Sequence, residues 1–323
     1  MGKIDIDAFL DTDELDVVQG KRIHRKNRRL SQREKRVRLQ AELIELAEKI
    51  PIDVQQTFTP SFLPHGHERA WLINYLEGFY NDNIITDVLG KVKGGKEANV
   101  YICAAHPKTG LDLIAAKIYR PRMFRNLRND ARYRQGRGML DKKGKAVQGR
   151  REALAMEKNS RYGQELRHGT WLGTEYQTLQ MLWEAGADVP KPITHGDNAI
   201  LMEYVGAVGA PAPTLNQVTL GAAEARVVFE RLVKNLDIML ICRRVHADLS
   251  AYNILYWEGQ FKIIDFPQAV DPRRNPDAQA LFGRDVERIC QYFARYRIPA
   301  DARSLANDLW GRYLGMDYLT QEE

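Results

Sequence analysis

The stretch that decides the fold is 245-VHADLSAYNILYWEGQFKIIDF-266. It places Asp248 five residues before Asn253 and ends near a second carboxylate, Asp265, after a short apolar run. The residues 258-EGQ-260 between two apolar runs indicate a hairpin, which would bring Asn253 and Asp265 together. Carboxylate and amide oxygens are the ligands that Mg²⁺ prefers. The stretch therefore supplies side-chain oxygens of the kind that a Mg²⁺ site needs.

The chain has 323 residues, of which 44% are hydrophobic, enough to build a sizeable core. No apolar run reaches the roughly 18 residues of a membrane span, and the N-terminus lacks the apolar core of a signal peptide. Three cysteines without a CxxC pair give no support to a disulfide framework or a cysteine zinc site. We therefore expect a cytoplasmic protein without a membrane partner.

Hydrophobic periodicity predicts a small sheet followed by a mainly helical region. Alternating and β-branched runs predict antiparallel strands at about 84–93, 97–105, 111–119, 192–196 and 199–205. Helical spacing predicts helices at about 31–50, 67–80, 169–186, 221–243, 276–297 and 300–315. We therefore expect an α+β fold of two lobes, with helices before the sheet and a ligand cleft between the lobes.

The composition divides the chain into three parts. Residues 1–66 form a basic N-terminal extension and linker. Residues 67–205 form the sheet lobe, with an N-terminal helix and a flexible, Arg-rich insertion at 120–168. Residues 206–323 form the helical lobe with the loops that carry the three site residues named above.

Two segments concentrate the basic charge. Residues 21–38 contain ten Lys or Arg and one acid, and residues 118–168 contain fifteen Lys or Arg and five acids. Because the net charge of the whole chain is only +6, the remainder is acidic. The asymmetry predicts a polyanionic partner such as RNA or a ribonucleoprotein particle, and a basic run that is simply solvated is the alternative.

The opening stretch matches the catalytic loop of protein kinases. Asp248 and Asn253 fit the pattern HRDxxxxN except for its arginine, and Asp265 stands where kinases place the aspartate of DFG. Lys117, in the predicted strand "IAAKIY", resembles the phosphate-binding lysine of VAIK. A buried lysine needs a carboxylate partner, and Glu175 in the helix "WLGTEYQTL" is the candidate. An exposed Glu175 with no such role is the alternative.

Five segments in the same order resemble the RIO family of atypical serine/threonine protein kinases. They are 95-GKEANVY-101, 115-AAKIY-119, 200-ILMEYVG-206, 245-VHADLSAYNIL-255 and 263-IIDFPQAV-270. The resemblance covers about residues 84–297 and is nearest to the RIO-one type, although "IDFPQ" and "FGRDVERI" are more like the RIO-two type. It implies a trimmed, two-lobed kinase fold that binds ATP and Mg²⁺.

The resemblance also implies the roles of the catalytic and metal-binding residues. Asp248 would face the acceptor hydroxyl, while Asn253 and Asp265 would hold Mg²⁺. Lys117, paired with Glu175, would bind the phosphates. In this family the metal-binding aspartate can itself be phosphorylated, so Asp265 is also a candidate phosphoryl acceptor.

The nucleotide-binding residues follow from the same resemblance. Glu203 and Val205 would meet the adenine through backbone groups, with Met202 behind the ring. The phosphate loop has only Gly94 and Gly95 in place of GxGxxG, as is usual in RIO kinases. We therefore expect the phosphates to depend more on the lysine, the metal and loop amides than on a glycine-rich loop.

The resemblance implies a serine/threonine kinase or ATPase that acts in ribosome or ribonucleoprotein maturation. Two alternatives remain open from the sequence. Small-molecule phosphotransferases that modify aminoglycosides or choline also use HxDxxxxN and a following Asp. A weakly active assembly scaffold would also keep these motifs, although the loss of the Lys or an Asp that marks many pseudokinases is missing here.

Overall fold

The computed structural model describes residues 58–95, 98–119, 161–196 and 198–319. Three predicted features lie outside these ranges: the helix at 31–50, the basic segment 21–38 and the insertion up to residue 160. The described residues form two lobes, one built around a sheet and one mainly helical, so the predicted α+β fold is confirmed.

The sheet lobe contains five antiparallel strands in the order β1-β2-β3-β5-β4. The strands are β1 Ile85–Gly94, β2 Ala98–Ala105, β3 Leu113–Tyr119, β4 Pro192–His195 and β5 Ala199–Glu203. β3 lies in the middle, where Lys117 pairs with Val100 on one side and Ile200 on the other. Strand pairing on both sides therefore holds the backbone that carries Lys117.

Residues 58–66, predicted as the end of a linker, pack on the sheet. Phe58 is 1% exposed and lies in one apolar cluster with Leu72 and Leu76 of helix α1, His67–Asn81. The N–H of Phe62 donates to the Val88 carbonyl at 2.9 Å. This part of the chain therefore contributes to the core of the sheet lobe.

Helix α2, Arg161–Glu184, packs against β4 and β5 and carries Glu175. It begins earlier than the predicted start at Gly169, so residues 161–168 of the predicted flexible insertion are helical. Residues 161–168 show no apolar periodicity, and apolar periodicity is the signal from which a helix is predicted.

The helical lobe is built from three long helices and a hairpin. The helices are α3 Ala222–Ile241, α4 Ala278–Ala294 and α5 Ala302–Leu319, and the hairpin is formed by β8 Ile254–Trp257 and β9 Gln260–Ile263. Two short strands, β6 Gly206–Ala207 and β7 Ala210–Pro211, precede these elements in the chain. On α4 the spacing of Phe282, Val286, Ile289 and Phe293 forms a buried apolar stripe. Within the described ranges, no helix has the length and apolar character that crossing a membrane requires.

Candidate active site

The hairpin β8–β9 brings Asn253 and Asp265 together, as the spacing predicts. Its turn has positive φ at Glu258 (48°) and Gly259 (76°), the conformation of the tight turn that matches the twist of paired strands. At the open end, the N–H of Ile264 donates to the Asn253 carbonyl at 2.9 Å. Asp265 follows directly with φ at 74°, a left-handed conformation that costs energy for a residue other than glycine and clusters at functional sites.

Lys117 lies between two carboxylates at the polar end of the cleft. Its Nζ is 2.7 Å from Glu175 Oε1 and 2.7 Å from Asp265 Oδ1. The Glu175 side chain is 5% exposed, so it is not the exposed helix residue of the alternative interpretation. Asp265, at 45% exposure, faces the open side. The ammonium therefore links β3 and α2 of one lobe to the helical lobe.

Lys117 and the carboxylates of Glu175 and Asp265 form a cluster whose members stabilise one another's charged forms. Burial alone would lower the pKa of Lys117, but Asp265 and Glu175 outweigh it and raise the pKa well above its usual value. Lys117 in turn lowers the pKa of Asp265. Burial and Glu175 raise the pKa of Tyr119, which keeps its proton and donates it to Glu175 Oε2. The cluster thus keeps a permanent cation on the wall of the cleft.

The cleft contains a cavity of about 420 Å³ that brings most of the predicted site residues together. Its apolar lining includes Val92, Ala115, Leu179, Ile200, Met202 and Leu255. Its polar lining includes Lys117, Glu175, Asn253 and Asp265, and Gly95, Glu203 and Val205 also line it. Gly94 and Asp248 are not among the lining residues.

The two glycines before β2 differ in their surroundings. Gly94 ends β1 and pairs with Asn99. Gly95 follows it, and the N–H of Gly95 donates to the Ala98 carbonyl at 2.9 Å. A Cβ at Gly95 would lie 2.8 Å from that same carbonyl oxygen. The close approach of the two strands therefore requires glycine at position 95.

Asp248 lies in a loop whose main chain is firmly held. We call residues 246–250 the Asp248 loop. Asn253 Nδ2 donates to the Asp248 carbonyl at 2.9 Å, which leaves the amide oxygen of Asn253 as a possible metal ligand. The N–H groups of Ala247 and Leu249 donate to the carboxylate of Asp285 at 2.7 and 3.0 Å. The loop is therefore anchored to α4 on both sides of Asp248.

Asp285 was not among the predicted site residues, although it lies in the motif "FGRDVERI". Its side chain is 1% exposed, and burial raises its pKa to about 7, although the two N–H donors act in the opposite direction. The available signal was its position, since it lies three residues after Phe282 and four before Ile289 on the apolar stripe of α4. A lone acid on a buried helix face needs partners, and here they are the amides of the Asp248 loop.

Two other polar residues hold the loop. Burial lowers the pKa of His246, so the ring is neutral, and its Nε2 donates to the Ile264 carbonyl at 3.1 Å. This bond joins the Asp248 loop to the residue before Asp265. Arg288 Nη1 lies 2.8 Å from Asp248 Oδ1. Arg288, in the same motif as Asp285, was not a predicted site residue either, because no local pattern shows which loop packs beside it.

The donors available for a metal are few. In the described parts of the chain, no group of three or more His, Cys, Asp or Glu is arranged to hold a metal ion. Asn253 and Asp265 remain as one amide and one carboxylate among the residues that line the cavity. Such a set suits Mg²⁺ bound together with phosphate oxygens and water, and it does not suit a metal cage made by protein alone.

Comparison with known proteins gives the same family as the motifs. The family model described as "RIO domain" matches residues 99–305. A protein of Chaetomium thermophilum named serine/threonine-protein kinase RIO1 is 29% identical over 71% of this chain and 43% of its own length. One of Haloferax volcanii, named RIO-type serine/threonine-protein kinase Rio1, is 30% identical over 67% of this chain and 66% of its own length.

The alignments span only part of these relatives, about two fifths of the fungal protein and two thirds of the archaeal one. The crystal structure of the Rio2 kinase from Chaetomium thermophilum aligns with a TM-score of 0.46 and 20% identity, covering 72% of this chain and 66% of that chain. The family match covers well over half of the chain and contains Lys117, Asp248 and Asp265. The chain therefore belongs to the RIO family.

Proposed function

We propose that the chain is an ATP- and Mg²⁺-dependent serine/threonine protein kinase or ATPase of the cytoplasm. It transfers the γ-phosphoryl group of ATP to a protein hydroxyl, to water or to its own Asp265. The observation that carries the proposal is the position of Lys117, whose ammonium is held by Glu175 and Asp265 at the polar end of a mainly apolar cavity. Phosphoryl transfer depends on such positioning and charge more than on covalent chemistry.

The cavity fits a nucleotide in size and lining. Its volume of about 420 Å³ lies within the usual range for small-molecule sites. Ile200, Met202 and Leu255 supply apolar surface for a planar base. The carbonyl of Val205 already accepts the N–H of Ala212 at 3.1 Å. We therefore expect the N–H of Val205, and not its carbonyl, to contact the edge of the adenine.

The residues present also fit Mg²⁺. Asn253 and Asp265 would hold it, since they offer an amide oxygen and a carboxylate beside the cationic Lys117. When bound, Mg²⁺ neutralises charge on the phosphates and helps to align them. The lysine keeps its proton and binds phosphate oxygens as a fixed cation.

The acceptor approaches from the side of Asp248. This carboxylate orients the acceptor hydroxyl and receives its proton. As the acceptor oxygen bonds to the γ-phosphorus, the bond from the γ-phosphorus to the bridging oxygen breaks, and that oxygen leaves with ADP. Anchoring of the Asp248 loop to Asp285 fixes the main chain on which this step depends.

Mg·ATP should raise the melting temperature of the wild-type protein more than ATP without metal. A ligand that binds only the folded state stabilises it by about 2.7 kcal/mol at a concentration of 100 Kd. In Asp265→Asn the additional effect of Mg²⁺ should disappear, because the carboxylate ligand is lost. Thermal denaturation with ATP, with Mg²⁺ and with both measures this.

The matched control for this experiment is Asp237→Asn, an aspartate whose ion pair with Arg312 lies on the outside of the helical lobe. It should respond to Mg·ATP as the wild-type protein does. An undiminished Mg²⁺ effect in Asp265→Asn would show that the metal is held elsewhere.

We extend the proposal to an RNA or pre-ribosomal partner bound through residues 21–38 and 120–168. The support is compositional, since these segments carry most of the basic charge of a chain that is otherwise acidic. The candidate phosphate contacts are Arg120, Arg122, Arg125, Arg128, Arg132 and Arg134. Few aromatic residues accompany them, so charge should contribute more to binding than base stacking does.

Binding to single-stranded RNA should weaken steeply with salt. If about six phosphates are neutralised, the slope of log K against log salt should be near −4, from roughly −0.7 per contact. Replacing the six arginines by alanine should flatten the slope and leave Mg·ATP binding intact. Filter binding across salt concentrations measures both, and an unchanged slope would exclude these arginines as the contacts.

A further inference from the structure

The face of α4 below the Asp248 loop carries three charged residues within five positions. Asp285 accepts the N–H groups on both sides of Asp248, and Arg284 donates to the Ala247 carbonyl. Asn253 donates to the carbonyl of Asp248 itself. The main chain through Asp248 is thus held from several directions. Only the side-chain torsions of Asp248 remain to be set.

Arg288 contacts the side chain of Asp248 directly. Its Nη1 is 2.8 Å from Asp248 Oδ1. Arg288 follows Asp285 by three residues, a spacing that places both on the same face of a helix. A guanidinium presents its N–H donors in a rigid, planar fork, which restricts the orientation of a carboxylate more than an ammonium does. Because Arg288 binds Oδ1, Oδ2 is the oxygen of Asp248 that is available to an acceptor hydroxyl.

Stability does not account for this ion pair. The side chains of Arg288 and Asp248 are 38% and 42% exposed. Exposed pairs of this kind contribute little to folding stability, since solvent screens the charges and two flexible side chains lose freedom. A misplacement of about 1 Å in a reacting group, by contrast, can lower a rate about a hundredfold. The effect of Arg288 should therefore be on rate.

We propose that Arg288 is a positioning residue for phosphoryl transfer. It holds Asp248 Oδ1 so that Oδ2 meets the proton of the acceptor. The inference rests on the proposed function, in which Asp248 faces the acceptor. Arg288 is not among the residues that line the nucleotide cavity, so its removal should change kcat and leave the KM for ATP unchanged.

The test is steady-state Mg·ATP turnover, by hydrolysis or autophosphorylation, in Arg288→Ala and Arg288→Lys. In the alanine variant kcat should fall on the order of tenfold to a hundredfold, with the KM for ATP within about twofold of wild type. Lysine should restore part of kcat, because it pairs with the carboxylate without the fork. Arg312→Ala is the matched control, an exposed arginine 3.2 Å from Asp237, and should turn over ATP as wild type does.

A double-mutant cycle separates positioning from a general structural role. In an Asp248→Asn background, Arg288→Ala should cause little further loss, because Arg288 acts through the carboxylate that is already gone. Additive losses, a raised KM for ATP or an unchanged kcat in Arg288→Ala would each overturn the inference. No Mg·ATP turnover by the wild-type protein would overturn the proposed function as well. Wild-type turnover with an equally fast Arg288→Ala would overturn only the role of Arg288.

Discussion

Replacing Asp248 by Asn should lower kcat for phosphoryl transfer by on the order of 10²–10⁴, the usual contribution of a positioned proton acceptor. The amide is close to the carboxylate in size, so the main chain held by Asn253 and Asp285 should stay in place. Asp248 does not line the cavity, so the affinity for Mg·ATP should remain within a few-fold of wild type. The loss should therefore appear in the chemical step.

Single-turnover measurements with titration of Mg·ATP binding separate the two quantities. The control is Asp237→Asn, whose carboxylate pairs with Arg312 away from the cavity and should leave both quantities unchanged. Wild-type turnover in Asp248→Asn would show that this carboxylate does not orient the acceptor. Loss of Mg·ATP binding would instead place Asp248 in the nucleotide site.

The product of the wild-type reaction identifies the acceptor. Transfer to Asp265 would form an acyl phosphate, which hydroxylamine cleaves, whereas phosphoserine and phosphothreonine are stable to it. A phosphoryl group on Asp265 would lie beside the ammonium of Lys117, which is 2.7 Å from the Asp265 carboxylate.

Lys117→Met should destabilise the protein and also weaken nucleotide binding. Removing one partner of a buried ion pair costs about 3–5 kcal/mol, since the other charge is left without compensation. Here that charge is Glu175, which is 5% exposed and would still accept the hydrogen bond from the Tyr119 hydroxyl. Separately, loss of the contact to phosphate should weaken the binding free energy of ATP by about 1.5–3 kcal/mol, which raises the Kd for ATP about tenfold to a hundredfold.

The double variant Lys117→Met, Glu175→Gln distinguishes these two effects. A neutral amide at position 175 no longer needs a cation, so most of the free energy of unfolding should return. Nucleotide affinity should stay low, because the cation is still missing. Denaturant unfolding and isothermal titration calorimetry measure the two separately, and wild-type ATP affinity in the double variant would contradict the role of Lys117.

Lys91→Met is the matched control for stability. Lys91 pairs with Glu68 at 2.6 Å on the sheet lobe, with side chains 29% and 24% exposed. Loss of this more exposed pair should cost less than the loss of Lys117, and ATP affinity should not change. An equal loss of stability in the two lysine variants would argue against the importance of burial at Lys117.

The sequence by itself determined the family and most of the secondary structure. The spacing of Asp248, Asn253 and Asp265 and the ordered motifs are local patterns, so they can be read along the chain. The five strands of the large sheet and most of the described helices were predicted within a few residues, because alternating and helical periodicities mark their buried faces. The short strands β6 and β7 were not predicted. The start of α2 at Arg161 was missed, since the first turns of that helix have no apolar periodicity.

Only the tertiary structure decided how distant residues meet. Lys117 contacts Glu175 and Asp265, which lie 58 and 148 residues further along the chain, and Arg288 reaches Asp248 across 40 residues. Helical spacing shows that a residue such as Asp285 faces the core, but it does not show which segment packs there. That depends on the packing of α4 beneath the Asp248 loop, a long-range contact that leaves no periodic signal in either segment.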